Sequence, residues 1–274
     1  MAQDDCGCRH QDRVEGVSGI EVERGARGVA TVWLSNPRRL NALSDRMVIG
    51  LGEELPRLAA DQTCRAIVLR GRGGVFCAGR DLADLKALQA SDTEAIRAMY
   101  GHMQRMNEVI YDSPQPVISV IEKYAFGIAT MIATWTDIAI AEENAELGYP
   151  EVHHGITPYG AVPTMLNAMS QKAMMDLLLT GRRVKAPEAV RLGILTRAVP
   201  AERLDAELEA VLEHLSRGSA AAIRNSKQFV RECETLSYRQ GMAAATERHV
   251  QGLANPETKQ GLAAFADKKK AGWS

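Results

Sequence analysis

Residues 117–158 read VISVIEKYAFGIATMIATWTDIAIAEENAELGYPEVHHGITP, and this stretch decides the fold. Val117–Ile121 is a short, unbroken apolar run, the pattern of a strand buried on both faces. Gly127 marks a tight turn, and the apolar residues after it predict a short helix. The run DIAIA predicts a second strand. The stretch then ends in a loop where Glu151 follows Pro150. A strand–turn–helix–strand unit of this kind belongs to an α/β protein.

Upstream, Gly19–Glu23 and Val29–Leu34 predict two strands around the turn at Gly25–Gly28. Ser44 is placed to N-cap a helix through about Ala60, with Met47, Leu51 and Leu55 on one face. Ala66–Arg70 predicts another strand covered on both sides. GRGGVFCAGRDLADLKAL, from residue 71, reads as a glycine-rich turn, a few extended residues and a helix start. Asp92–Ser113 predicts a helix with Ile96, Met99, Met103, Met106 and Ile110 on its apolar face, the methionines serving as core filler. Pro114 and Pro116 stop it. Downstream, the pattern predicts a helix over Ala161–Leu179, a short helix over Ala186–Arg191 closed by Gly193, and a strand-like Ile194–Val199. Two long amphipathic helices, about Ala201–Ser216 and a broken Ser219–Asn255, precede a last helical turn over Glu257–Lys270. The expected organisation is a flexible N-terminus (1–18), an α/β core (19–200) and a helical C-terminal region (201–274).

The 274 residues suffice for a substantial core, and 46% hydrophobic with 24% charged residues is ordinary for a soluble domain. A formal net charge of −1 leaves no electrostatic footprint for nucleic acid. No apolar run approaches the ~20 residues that span a bilayer. The polar start, MAQDDCGCRHQDR, has no apolar segment of the secretory kind, so a cytoplasmic protein is expected. Cys6, Cys8, Cys64, Cys77 and Cys233 are too few and too scattered for a disulfide framework, and no metal-ligand spacing accompanies them or the His153–His154 pair.

Two glycine-containing turns, Phe76–Leu82 and Tyr124–Met131, follow predicted strands and precede predicted helices. Each can present a backbone N–H at a helix start, and two such donors aimed at one oxygen form an oxyanion hole. Taken singly, each turn reads as a tight corner. Gly71–Gly74 is not a phosphate loop, because no Gly-Lys-Ser/Thr follows it.

SNPRRLNALS, CRAIVLRGRGGVFCAGRDLADL, QPVISVIEKYAFGIATMIATWTDIAIA and LGYPEVHHGITP, in this order, resemble the crotonase superfamily, the enoyl-CoA hydratase/isomerase family. TGRRVKAPEAVRLGILTRAVP fits it as well, so the resemblance runs from about Val29 to Lys270. It implies a crotonase-like α/β fold of repeated ββα units with a helical C-terminal extension serving oligomerisation or as a lid. It implies acyl-CoA thioester substrates, no cofactor beyond the CoA moiety, and a homotrimer or a dimer of trimers. It assigns the first oxyanion-hole donor to Ala78 and the second to Ile128, where many members have glycine. It assigns a catalytic carboxylate to Glu151. Arg38, Arg39 and Arg80 fall in segments that flank the CoA site, and solvated surface charge is the competing reading for Arg38 and Arg39. Gly79, Asp81, Leu82, Gly127 and Pro150 lie in the same ligand-contacting segments. Phe265 and Lys268 match aromatic and basic positions that some relatives fold over the ligand.

One departure matters for the chemistry. The second glutamate of the family's hydratases falls at Met131, and a thioether neither takes nor gives a proton. A single carboxylate with an oxyanion hole implies proton abstraction beside the thioester and return at another carbon, which is double-bond isomerisation. Hydration with a substitute for the missing group, from His153 or His154, is the alternative, and a non-catalytic acyl-CoA-binding or assembly protein is another.

Overall fold

The computed structural model describes residues 13–14, 19–269 and 271–273. Most of the segment expected to be flexible, with Cys6 and Cys8, lies outside the described residues. Among the described residues ten strands form two sheets: β1 (Arg13–Val14), β2 (Ile20–Arg24), β3 (Val29–Leu34), β4 (Ala66–Gly71), β5 (Val117–Ile121), β6 (Tyr124–Phe126), β7 (Ile138–Glu142), β8 (Glu146–Gly148), β9 (Arg183–Lys185) and β10 (Arg197–Val199). The larger sheet has the order β1-β2-β3-β4-β5-β7-β10. It is antiparallel from β1 to β3 and parallel from β3 to β10. The smaller one, β6-β8-β9, pairs β6 with β8 in parallel and β8 with β9 antiparallel.

The unbroken apolar runs of β4 and β5 are explained by cover on both faces. Ile67, Leu69, Val117 and Ile121 enter the main core, whereas Ala66, Val68, Ile118 and Val120 pack with Leu204, Val211 and Leu212. Alternate side chains of a strand point to opposite faces, so both faces must be apolar here.

Helices follow in chain order: α1 (Asp45–Ala60), α2 (Leu82–Gln89), α3 (Thr93–Asp112), α4 (Ile128–Trp135), α5 (Ala161–Met165), α6 (Gln171–Thr180), α7 (Ala186–Leu192), α8 (Leu204–Ser216), α9 (Ala220–Cys233), α10 (Tyr238–Ala254) and α11 (Pro256–Ala266). Ser44 caps α1 as the sequence predicts, accepting from the Met47 N–H. The single helix expected over Ala161–Leu179 is two. Ser170 accepts from the Ala173 N–H and starts α6 afresh. The long C-terminal segment breaks at Ser237, whose capping box with Gln240 opens α10. Only Arg197–Val199 of the expected Ile194–Val199 strand pairs in the sheet.

Candidate active site

The chemistry gathers where β6, α4 and the turn after β8 meet the extended segment 76–81. That segment runs between two neighbours. On one edge the Cys77 N–H donates to the Tyr124 carbonyl at 3.0 Å, and the Cys77 carbonyl accepts from the Phe126 N–H at 3.3 Å. On the other, the Leu43 N–H donates to the Gly79 carbonyl at 2.7 Å, and the Asp81 N–H to the Leu43 carbonyl at 2.9 Å.

A trans peptide points its C=O and N–H in opposite directions. Because the Gly79 carbonyl faces Leu43, the N–H across the same bond, that of Arg80, faces the opposite edge. That is the β6 side, where a Cβ on Gly79 would stand 3.1 Å from the Phe126 carbonyl. Among the described residues nothing accepts from the Arg80 N–H or from the Ile128 N–H.

Ala78 is different. Its N–H donates to the Leu40 carbonyl at 3.0 Å, so the expected first donor is already spent. In a regular strand residues 78 and 80 would offer their N–H groups to the same edge. Gly79, at φ +106°, breaks that alternation and sends them to opposite edges. The free donor of this segment is Arg80.

The second donor stands at the start of α4. Gly127 adopts φ 56°, ψ −118°, a conformation open to glycine, and places the Ile128 N–H at the first helical position. The Ile128 side chain is buried in the main core, so it does not narrow the approach. The Glu151 carboxylate lies over Gly127: a Cβ there would come within 2.9 Å of Oε1. Any larger residue at 127 would displace the carboxylate.

Glu151 stands in the 3-10 turn Pro150–His154, just after β8. Burial pushes its carboxyl above the usual carboxylate range, and its own backbone N–H only partly offsets this. Beneath it, Tyr149 is fully buried with its hydroxyl unpartnered among the described residues. The Thr134 and Thr164 hydroxyls beside it already donate to the Thr130 and Ala161 carbonyls. Burial, reinforced by the Glu151 charge, raises the phenol, which stays neutral. Met131 is buried in α4 with its sulfur towards Gly160, where a Cβ would be 3.1 Å away. The position that the resemblance gives to a second carboxylate is filled by packed thioether.

A model of the family described as enoyl-CoA hydratase/isomerase matches residues 24–274. The chain belongs to the enoyl-CoA hydratase/isomerase family. A Thermus thermophilus protein provisionally named enoyl-CoA hydratase is 31% identical over 250 residues, spanning 91% of this chain and 98% of its own length. The mitochondrial enoyl-CoA hydratase of Pongo abelii is 27% identical over 254 residues, 92% of this chain and 86% of that one. The crystal structure of a Mycobacterium smegmatis enoyl-CoA hydratase superposes with a TM-score of 0.87 at 28% identity, covering 93% and 98% of the two chains. The protein is thus an acyl-CoA enzyme of this family with a crotonase-like fold.

Several residues expected to contact the ligand of a family member are otherwise engaged. The Arg80 guanidinium, with its side chain only 9% exposed, binds the Leu43 carbonyl at 3.0 Å and pairs with Asp45. It clamps the segment that carries its own N–H and does not reach for a phosphate. The Asp81 carboxylate caps α2 through the Ala83 and Asp84 N–H groups and pairs with Arg39 at 2.6 Å. Burial raises the Asp81 carboxyl, but Arg39 and those N–H groups outweigh it and hold it below the usual range. Both side chains are engaged within the fold. Arg38, in the turn Pro37–Arg39, and Leu82, at the start of α2, remain exposed and unspent.

Phe265, 84% exposed, and Lys268 lie on and just after α11. This end of the chain is tied to Ser219 through Glu257 and to the Arg217 carbonyl through Trp273, and no described contact brings it to Glu151. The imidazole of His153 binds the Thr180 carbonyl at 2.7 Å through Nε2, which commits that nitrogen to the end of α6. Trp135 packs on Tyr111, ring centroids 4.7 Å apart, beside a cavity of about 740 Å³ that includes neither Glu151 nor Met131. The polar walls of that cavity are internally paired: Lys227 and Arg231 face Asp137, and Arg231 also meets Glu234.

Proposed function

We propose that this enoyl-CoA hydratase/isomerase family member shifts a carbon–carbon double bond in an acyl-CoA thioester, with Glu151 as its single acid/base group. The observation that carries this reading is the pairing of a half-buried Glu151 over Gly127 with a packed thioether at Met131. In a 3-enoyl thioester, the Glu151 carboxylate takes a proton from C2. The electron pair spreads through the conjugated system onto the thioester oxygen, which accepts hydrogen bonds from the Arg80 and Ile128 N–H groups. Glu151 then returns the proton to C4, leaving the double bond between C2 and C3. Removing one such oxyanion donor costs about 2.7–4 kcal/mol of transition-state stabilisation. Burial serves this cycle, because a carboxyl whose pKa is raised towards neutrality both accepts and releases a proton readily.

The relatives' names favour hydration, which needs a second acid/base group to handle water. Met131 is a packed thioether and His153 binds the Thr180 carbonyl, and isomerisation is the reaction that one carboxylate completes. No cofactor beyond the CoA moiety enters it. Arg38, Leu82, Phe265 and Lys268 are the side chains left to meet CoA. The region 201–274 serves assembly into a homotrimer or a dimer of trimers in the cytoplasm, with the last helix as a lid.

The test is a panel of enoyl-CoA thioesters assayed for hydration and for double-bond shift. Wild type should shift the double bond, and Glu151→Gln should lose turnover while still binding the CoA ester. Unchanged turnover in the variant would remove Glu151 from the mechanism.

A further inference from the structure

The Glu151 carboxylate has no hydrogen bond from any other residue among those described, only one from its own backbone. Its place is therefore set by the turn that carries it. That turn packs against the end of α6. The residues after Glu151, Val152 and His153, both lie on Gly181: a Cβ there would meet Val152 Cγ1 at 2.7 Å and His153 Nε2 at 2.8 Å. The His153 ring also binds the Thr180 carbonyl at 2.7 Å, which closes the end of α6. Thr180 and Gly181 are held in turn. The Gly181 N–H caps the Leu177 carbonyl, and Arg182 pairs with Asp176 at 2.6 Å and Glu188 at 2.8 Å.

We infer that His153 is a positioning residue for Glu151, latching the Pro150–His154 turn to the end of α6 so that the carboxylate stays over Gly127. The inference rests on the reading of Glu151 as the base. Gly181 is the other half of the latch. Its φ of +61° already disfavours a side chain, and any Cβ would push the turn away. The ring is a donor to a carbonyl that α6 leaves unpaired at its C-terminus, a place where a cationic or donor side chain is favoured. An alanine at 153 forfeits that bond and the ring contact together. Displacement of a catalytic group by about 1 Å can cost on the order of 100-fold in rate.

The experiment compares wild type, His153→Ala and His153→Gln, the last keeping an N–H donor for the Thr180 carbonyl. Turnover is followed against pH, and the Glu151 carboxyl is titrated by infrared difference with Glu151→Gln as the blank. His153→Ala should lower kcat by about 10- to 100-fold with little change in KM. Its Glu151 titration should move to lower pH as the loosened turn admits water. His153→Gln should recover most of both. Tyr149, the titratable group that interacts electrostatically with Glu151 among the described residues, is unchanged in all three proteins. Unaltered kcat and an unaltered carboxyl titration in His153→Ala would overturn the inference. Should wild type prove inactive on every thioester, the titration alone still decides whether His153 holds the carboxylate.

Discussion

Glu151 pays for its burial. Its carboxyl is raised in the folded state, so the folded protein holds the proton to higher pH than the unfolded chain does. Stability contributed by this group is therefore lost as pH rises from the unfolded value through the folded one. Glu151→Gln should melt at a higher temperature than wild type at pH 7. The two should converge below about pH 4, where both states are protonated. Thermal melts at both pH values read this directly, and an equal or lower melting temperature at pH 7 would contradict it. The turn that carries Glu151 was legible in the sequence because a proline and a motif marked it. The first N–H donor was not. Ala78 and Arg80 differ only in which way a peptide plane faces, and that depends on the positive φ of Gly79, which a sequence does not display. Nor does residue spacing show that Arg80 and Asp81 spend their charges on Asp45, Arg39 and the cap of α2.

Among elements, α9 is held to the core by a buried ion. Lys227, only 9% exposed, reaches Asp137 at 2.7 Å and the Gln115 and Ile110 carbonyls at 3.2 and 3.4 Å. Burial lowers its pKa, and Asp137 works against that shift. Lys227→Ala leaves the half-buried Asp137 carboxylate with the Val117 N–H at 2.8 Å and, as its one remaining cation among the described residues, Arg231 at 3.6 Å. Unfolding in urea should show a loss of about 3 kcal/mol, while Lys227→Met loses less by refilling the volume. A loss below about 0.5 kcal/mol in the alanine variant would mean that the pair is solvated like a surface one. The elements themselves were mostly legible, since continuous apolar runs marked the doubly covered strands. The breaks were less so. Ser170 and Ser237 restart helices by capping, and an apolar period that continues past them hides the interruption. The short strands β6, β8 and β9 are too brief for any period to show.

At the scale of the whole molecule, the C-terminal helices carry apolar side chains that this chain does not cover. Val250, Leu253, Leu262 and Phe265 are all more than half exposed on α10 and α11. Apolar exposure of this extent on neighbouring helices marks a surface for association. Light scattering behind size exclusion should give three or six times the 29.8 kDa chain, and a monomer at micromolar concentration would contradict assembly. Charged substitutions at Leu253 and Leu262 should lower the mass.

In the proposed reaction one carboxylate, Glu151, serves where the family's hydratases use two. Product analysis with 3-enoyl- and 2-enoyl-CoA thioesters, for wild type and Met131→Glu, tests it most directly. Wild type should convert the first into the second with no 3-hydroxyacyl product, and Met131→Glu should add that product. Hydration of the 2-enoyl thioester by wild type as fast as it shifts the double bond would mean that Glu151 does not act as a lone acid/base group.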